Sequence, residues 1–313
     1  MASFLNAVSA VLLLFMLMSV GYGMGWLKWM GPSEKKFISR FLINIAVPLN
    51  CITGILNNLS RDDLGQALKM LCAVYVSIFL TLLISAAAAT MLKLPRKQWG
   101  VFVAMAGLSN ALFIGLPVST QLFGSPSIPF VMIYYLGNTT FTQSVGVLLV
   151  ERAGAKEVRG SRLKGILRDL ITKPPTIGVA VSILLLLLDV TPPALFMKFA
   201  GYVAETVTPL ALIYCGYIIY EVGLRNLRLL RGLPAMLVIR LLVSPLICAV
   251  MCHLAGVTGL AGSVFVVEAS LPVVTQVTVM AGAYGADEQY AATGACISML
   301  CCFATIPILM ALL

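Results

Sequence analysis

Charge is what this sequence has least of. Only 11% of its 313 residues are Asp, Glu, Lys or Arg, and just 12 are acidic. A soluble domain carries about 25%. So few charges cannot cover a water-facing surface, which excludes a soluble globular protein. Histidine is nearly missing too, for His253 stands alone. Its isolation leaves Ser–His–Asp catalysis, Cys–His catalysis and the HExxH zinc arrangement without their parts. Neither an enzymatic activity nor a resident cofactor is expected. The eight cysteines, Cys51, Cys72, Cys215, Cys248, Cys252, Cys296, Cys301 and Cys302, form no CxxC and no metal-spaced cluster with His253. They read as small buried hydrophobes. A cleavable leader is not expected either. No basic residue precedes Phe4, the first apolar run is too long, and Lys28, Lys35 and Lys36 follow it.

What the chain does have is length of apolar sequence. Sixty per cent of its residues are hydrophobic, with a mean hydropathy of +1.00. A span needs about 20 such residues to cross ~30 Å of hydrocarbon. Ten windows qualify, at 4–27, 36–56, 67–92, 99–122, 129–150, 175–190, 196–221, 234–255, 259–285 and 289–312. The expectation is an all-α membrane protein of ten transmembrane helices, in contact with membrane lipid. Basic residues fix its orientation. With the N-terminus outside, 21 Lys and Arg divide so that only Arg61, Lys69 and Lys198 face out. The rest, Arg225, Arg228, Arg231 and Arg240 among them, fall in inside loops and their flanks, a strong positive-inside bias. Both termini then lie outside a multi-pass protein of the cell's inner (plasma) membrane. The net charge of +9 needs no nucleic-acid partner.

The one long polar stretch, 151–174, is basic and cytoplasmic in this topology, with room for a short amphipathic helix on anionic lipid. It separates a first repeat, 1–150, from a second, 175–313. Landmarks recur between them. Ala46-Val47-Pro48-Leu49 answers Val207-Thr208-Pro209-Leu210, and Pro117 answers Pro272. Five spans per half make the second copy enter the bilayer inverted. Inverted repeats with helices interrupted at matching positions point to a secondary transporter's binding site.

Polar residues gather at these interruptions. A proline frees backbone groups, and in hydrocarbon these must be buried in protein or line an aqueous cavity. Freed N–H groups at a half-helix N-terminus suit an anion, and freed carbonyls suit a cation. Ser109 and Asn110 precede the first interruption, while Thr275 and Gln276 follow the second. Glu268 lies one turn before Pro272, deep in its window, where a carboxylate usually marks an ion pathway. Asn138, Thr139 and Thr142 add oxygens in the fifth window, as ligands for a hard cation or as hydrogen-bonding glue between helices. Glu205, four residues before Pro209, is a second-rank candidate. No arginine is expected at mid-depth to pair a second carboxylate, which favours monocarboxylates or amphipathic acids.

Four segments carry a resemblance: "IAVPLN" at 45–50, "NALFIGLPV" at 110–118, "TPLALIYCG" at 208–216, and 271–309. They resemble the auxin efflux carrier family in its bacterial branch, over essentially the whole chain. The resemblance implies two inverted five-helix repeats and crossed, broken fourth and ninth helices. It also implies a scaffold beside a transport domain, elevator-type alternating access and a homodimer. A small carboxylate would meet Asn110, Gly115, Pro117, Pro272, Val273, Thr275 and Gln276. The sodium–bile acid symporters are more distantly similar, with a Ser-Asn pair on the fourth helix and a Glu on the ninth as sodium ligands. That likeness implies Na+ as coupling ion, held by Ser109, Asn110, Asn138, Thr139, Thr142, Glu268 and Gln276. Plant auxin carriers do not depend on sodium, so a proton-coupled or uncoupled carboxylate or auxin-like efflux carrier is the alternative.

Overall fold

The structure is a computed structural model that describes residues 2–59, 64–154, 172–224 and 227–312. Arg61, Arg225 and linker residues 155–171, with the expected amphipathic helix, lie outside the described residues. Everything described is helix or connection, apart from one isolated β-bridge. The helices are α1 (Ala2–Trp26), α2 (Pro32–Phe41), α3 (Val47–Asn58), α4 (Leu64–Met91), α5 (Arg96–Gly107), α6 (Leu116–Phe123), α7 (Ile128–Phe141) and α8 (Val147–Ala153). After the linker come α9 (Pro174–Leu187), α10 (Ala194–Glu205), α11 (Val207–Val222), α12 (Leu233–Val238), α13 (Ser244–Leu254), α14 (Gly259–Ala269), α15 (Gln276–Tyr284) and α16 (Glu288–Leu312).

Five continuous helices among the described residues are long and apolar enough to cross a membrane: Pro32–Asn58, Gly65–Met91, Ala194–Val222, Leu233–Leu254 and Glu288–Ala311. Shorter apolar helices are Leu12–Trp26, Ala111–Phe123, Pro174–Leu187 and Gly259–Ala269. With this composition, the molecule is a multi-pass membrane protein.

Prolines shape the continuous helices without cutting them. Leu42–Ala46, Ala111–Gly115 and Ile239–Val243 are π-helical, and each ends two residues before Pro48, Pro117 or Pro245. A widened turn accommodates a ring that has no N–H and would clash with the turn before it. A fourth π segment, Thr142–Gly146, has no proline behind it. There Thr142 Oγ1 donates to Asn138 O at 2.7 Å and Ser144 Oγ to Thr140 O at 2.6 Å. Such back-bonding loosens the helical ladder.

Two sets of helices pack together. In one, α1 lies along α11, and α9 and α10 flank α3. Glycines set the α1–α11 approach, because a Cβ on Gly21 would fall on Ile213 O and one on Gly216 on Met18 O. Lipid gives apolar helices little reason to associate, so close backbone contact of this kind carries the packing. In the other set, α5 packs on α4 and α8, α13 on α4 and α14, and α15 on α8, around a core that includes Phe102, Met105, Tyr134 and Phe265. The last helix, α16, touches both sets through α1, α5 and α15.

Among the described residues two helices are interrupted by extended chain, both in the second set. α14 stops at Ala269 and resumes as α15 at Gln276, with Pro272 between, as the sequence suggests. The earlier break does not fall at Pro117. It falls at Leu108–Asn110, and Pro117 sits in the first turn of α6 after the chain has become helical again. The reason is physical: the helix that resumes at Ala111 takes the Pro117 ring on the widened π turn Ala111–Gly115, so the proline does not have to break it.

Candidate functional site

The two breaks meet each other. Ser109 and Val273 form an isolated antiparallel bridge. Asn110 N donates to Pro272 O at 2.9 Å, and Val274 N donates to Leu108 O at 3.2 Å. The remaining donors of the breaks find side chains. Ser109 N donates to Asn138 Oδ1 at 3.1 Å, and Asn138 Nδ2 returns a bond to Ser109 O at 2.8 Å. Val273 N donates to Ser298 Oγ at 3.0 Å from α16. Asn110 Oδ1 accepts from Phe113 N at 3.4 Å and so caps the resumed helix. In an apolar interior nearly every such group must be paired. The two breaks pair with each other, and Asn138, Ser298 and Asn110 pair further backbone groups beside them.

On the cavity side of the crossing, Ser109 Oγ and Asn110 Nδ2 have no hydrogen-bond partner among the described residues. Both residues are buried, at 0% and 1% exposure. They line a cavity of about 340 Å³, which Asn138, Thr139, Thr142, Thr275 and Gln276 also line. The opposite wall comes from the first set: Ser39, Ile43, Lys173 and Tyr214. The cavity lies at the seam between the sets, where Phe113 and Tyr214 stack with ring centroids 4.9 Å apart. It shares Tyr214, Thr275 and Val279 with a wider vestibule of about 950 Å³. Lys35, Glu221, Arg228 and Asp287 line that vestibule. Within it Lys35 Nζ bonds both oxygens of Glu221, at 2.7 and 2.5 Å.

The sequence candidates therefore divide. Ser109, Asn110, Asn138, Thr139, Thr142, Thr275 and Gln276 share one cavity. Gly115, Pro117, Pro272 and Val273 do not line it. They are buried, and Pro272 and Val273 build the crossing through their backbones. Glu268 does not line it either. Its Oε1 accepts from Ser119 Oγ at 2.8 Å, its Oε2 has no partner, and the residue is fully buried. Gly115 makes room for that carboxylate, because a Cβ there would overlap it. Glu205 is exposed and lines a separate cavity of about 310 Å³ with Asn50, Asn57 and Thr208.

Arg240 corrects the sequence reading. Counted above among loop-flanking cations, it is 0% exposed and belongs to the crossing. Its Nη1 donates to Ala106 O at 3.4 Å, and its Nη2 donates to Ser244 Oγ at 2.8 Å and to Ala269 O. An interior arginine is thus present where none was expected. The signal was there: an arginine six residues into an apolar window, with Ser244 one turn on. Lys173, read as linker charge, lines the cavity opposite Asn110. Ser119 and Ser298 were not singled out because a hydroxyl on an apolar helix has no local pattern.

Chemically, the cavity combines amide and hydroxyl donors and the N-terminus of α15, with Lys173 in its lining, all suited to an anion. Its hydroxyl and amide oxygens suit a hard cation. Comparison with known proteins agrees with a transport role. The profile of a family described as "Membrane transport protein" matches residues 6–310. An uncharacterized transporter of Methanothermobacter thermautotrophicus is 30% identical over 278 residues, covering 86% of each chain. An uncharacterized transporter of Methanocaldococcus jannaschii is 26% identical over 294 residues, 91% of this chain and 92% of its own. With nearly its whole length matched, the chain belongs to the membrane transport protein family, the auxin efflux carrier family that its motifs resemble.

Proposed function

We propose that this transporter is a secondary active carrier of small organic anions, chiefly carboxylates, working by elevator-type alternating access with sodium as coupling ion. One observation carries the reading. Two interrupted helices cross with paired backbones, and the polar groups at their breaks open into one cavity at a seam between helix sets. A carboxylate in that cavity has Asn110 Nδ2 and the start of α15 as donors, with Lys173 across the seam. Sodium fits the oxygens of Ser109, Asn138, Thr139, Thr142 and Gln276 on the same wall. In this reading the chain has ten spans in two inverted halves, 1–150 and 175–313, with both termini outside. The vestibule, ringed by Lys35 and Arg228, is then cytoplasmic by the positive-inside bias, and this conformation faces inward.

A second reading has its own support. Glu268 bonds Ser119 rather than lining the cavity, which favours a proton-coupled or uncoupled carrier over one that ligates sodium through this carboxylate. A thermal-stability screen of mono- and dicarboxylates on purified protein, with sodium or potassium as sole cation, separates the two. A ligand present at 100 times its Kd stabilises by about 2.7 kcal/mol, enough to register. Sodium-enhanced carboxylate stabilisation supports the first reading. Stabilisation indifferent to sodium selects the second. A screen in which no carboxylate stabilises the protein removes the anion assignment.

A further inference from the structure

The guanidinium of Arg240 has a place in this crossing that neither reading uses. A helix C-terminus leaves carbonyls without intrahelical partners and carries roughly half a negative charge. α5 ends at Gly107 and α14 at Ala269, and both ends converge on the crossing. Two such ends together amount to about one negative charge. Arg240 donates to Ala106 O from the first end and to Ala269 O from the second. The hydrogen-bond partners of its two Nη atoms are two carbonyls and the Ser244 hydroxyl, none of them a carboxylate, while its Nε is buried without a hydrogen-bond partner. The nearest acid in sequence to that contact, Glu268, accepts from Ser119 instead.

Local structure aims the side chain. Arg240 sits in the π segment Ile239–Val243, an irregularity found often at functional sites. Ser244, four residues on, holds Nη2 at 2.8 Å. Tyr134 lies beside both the guanidinium and Ser109, so the arginine backs the wall of the cavity without entering it. Only a fork of rigid donors reaches two carbonyls on different helices at once.

We propose that Arg240 is a resident cation: it neutralises the carbonyl ends of both half-helices, the place a bound metal ion would otherwise take. The crossing then keeps its geometry with no coupling ion at those carbonyls. Any coupling ion is confined to the oxygen wall of the cavity on the far side of the break. The inference concerns what holds the crossing and is independent of which anion is carried, so it survives failure of the carboxylate screen.

The test is thermal unfolding of detergent-purified Arg240→Lys, Arg240→Met and Arg240→Ala in buffer whose only cation is choline, with and without methylguanidinium. Methionine is close in length and uncharged, and such a replacement of a buried charge can be neutral where the charge is not needed. The expected result is that Arg240→Met melts roughly 5–10 °C below the parent, while Arg240→Lys keeps at least half of that difference. Millimolar methylguanidinium raises the melting temperature of Arg240→Ala and leaves the parent and Arg240→Met unmoved. A merely space-filling residue would show no such rescue. A methionine variant as stable as the lysine variant overturns the proposal, as does an alanine variant indifferent to methylguanidinium. Should Arg240→Ala yield no folded protein, the lysine–methionine comparison decides alone.

Discussion

Asn138 commits both ends of its amide to the main chain of one residue, Ser109, accepting from its N–H and donating to its carbonyl. Side-chain amides mimic a peptide group in this way, and at a chain break that is the role required. Sequence inspection offers Asn138 as an ion ligand, yet its Nδ2 and one lone pair of Oδ1 are already occupied. It acts first as a splint that holds Ser109 extended beside the cavity. Asn138→Ala orphans two buried backbone groups, each costing about 1–3 kcal/mol, so the melting temperature should fall well below the parent's. Asn138→Asp should be worse, since it loses the donor and sets a carboxylate against the Ser109 carbonyl. Melting curves of the two variants in detergent check the order. An Asn138→Ala protein as stable as the parent would show that the splint is dispensable.

Among elements, the crossing shows what sequence makes legible and what it hides. Pro117 and Pro272 announce two irregular helices because a missing N–H is written in the residue itself. The apolar windows announce membrane helices for the same reason, since composition is a local property. The position of the first break is not local. It lies at Leu108–Asn110 because Pro272 O, Val274 N and the Asn138 amide wait there for its backbone. Those partners come from 29 to more than 160 residues away, and no window around Pro117 contains them. Arg240 was misread for the same reason, because a guanidinium is explained by its acceptors and these lie on α5 and α14. An ordering of variants follows. Pro117→Ala should leave the break in place and change stability by about 1 kcal/mol or less, because the π turn Ala111–Gly115 already accommodates the ring and the break lies before it. Ser298→Ala, on a helix far away in sequence, should cost about 1–3 kcal/mol by stranding Val273 N–H. Chemical denaturation of both proteins in mixed micelles gives the ranking, and a reversed order would return the break to Pro117.

For the whole molecule, the decisive feature is the seam. The cavity has one wall on the crossing and the other on Ser39, Lys173 and Tyr214. An elevator needs such an arrangement, because the substrate travels with one body past another that stays. Phe113, three residues beyond Asn110, and Tyr214 of α11 stack across the seam at 4.9 Å and 23°. If the crossing moves relative to α11, this contact must part in every cycle. Both residues line the cavity, so the untethered double-cysteine protein is the reference, and tethering should stop the transport that this protein retains. Phe113→Cys with Tyr214→Cys, joined by a short bifunctional thiosulfonate, provides the tether. Exposed Cys72 and half-buried Cys301 would first be replaced by serine. The other six cysteines are buried and can remain. Tethered protein in liposomes should lose uptake of whichever carboxylate stabilises it, keep the ligand-induced rise in melting temperature, and recover uptake on reduction. Undiminished transport by the tethered protein would mean that the two sets of helices do not slide past each other. The crossing would then have to exchange access by a local gate at the vestibule.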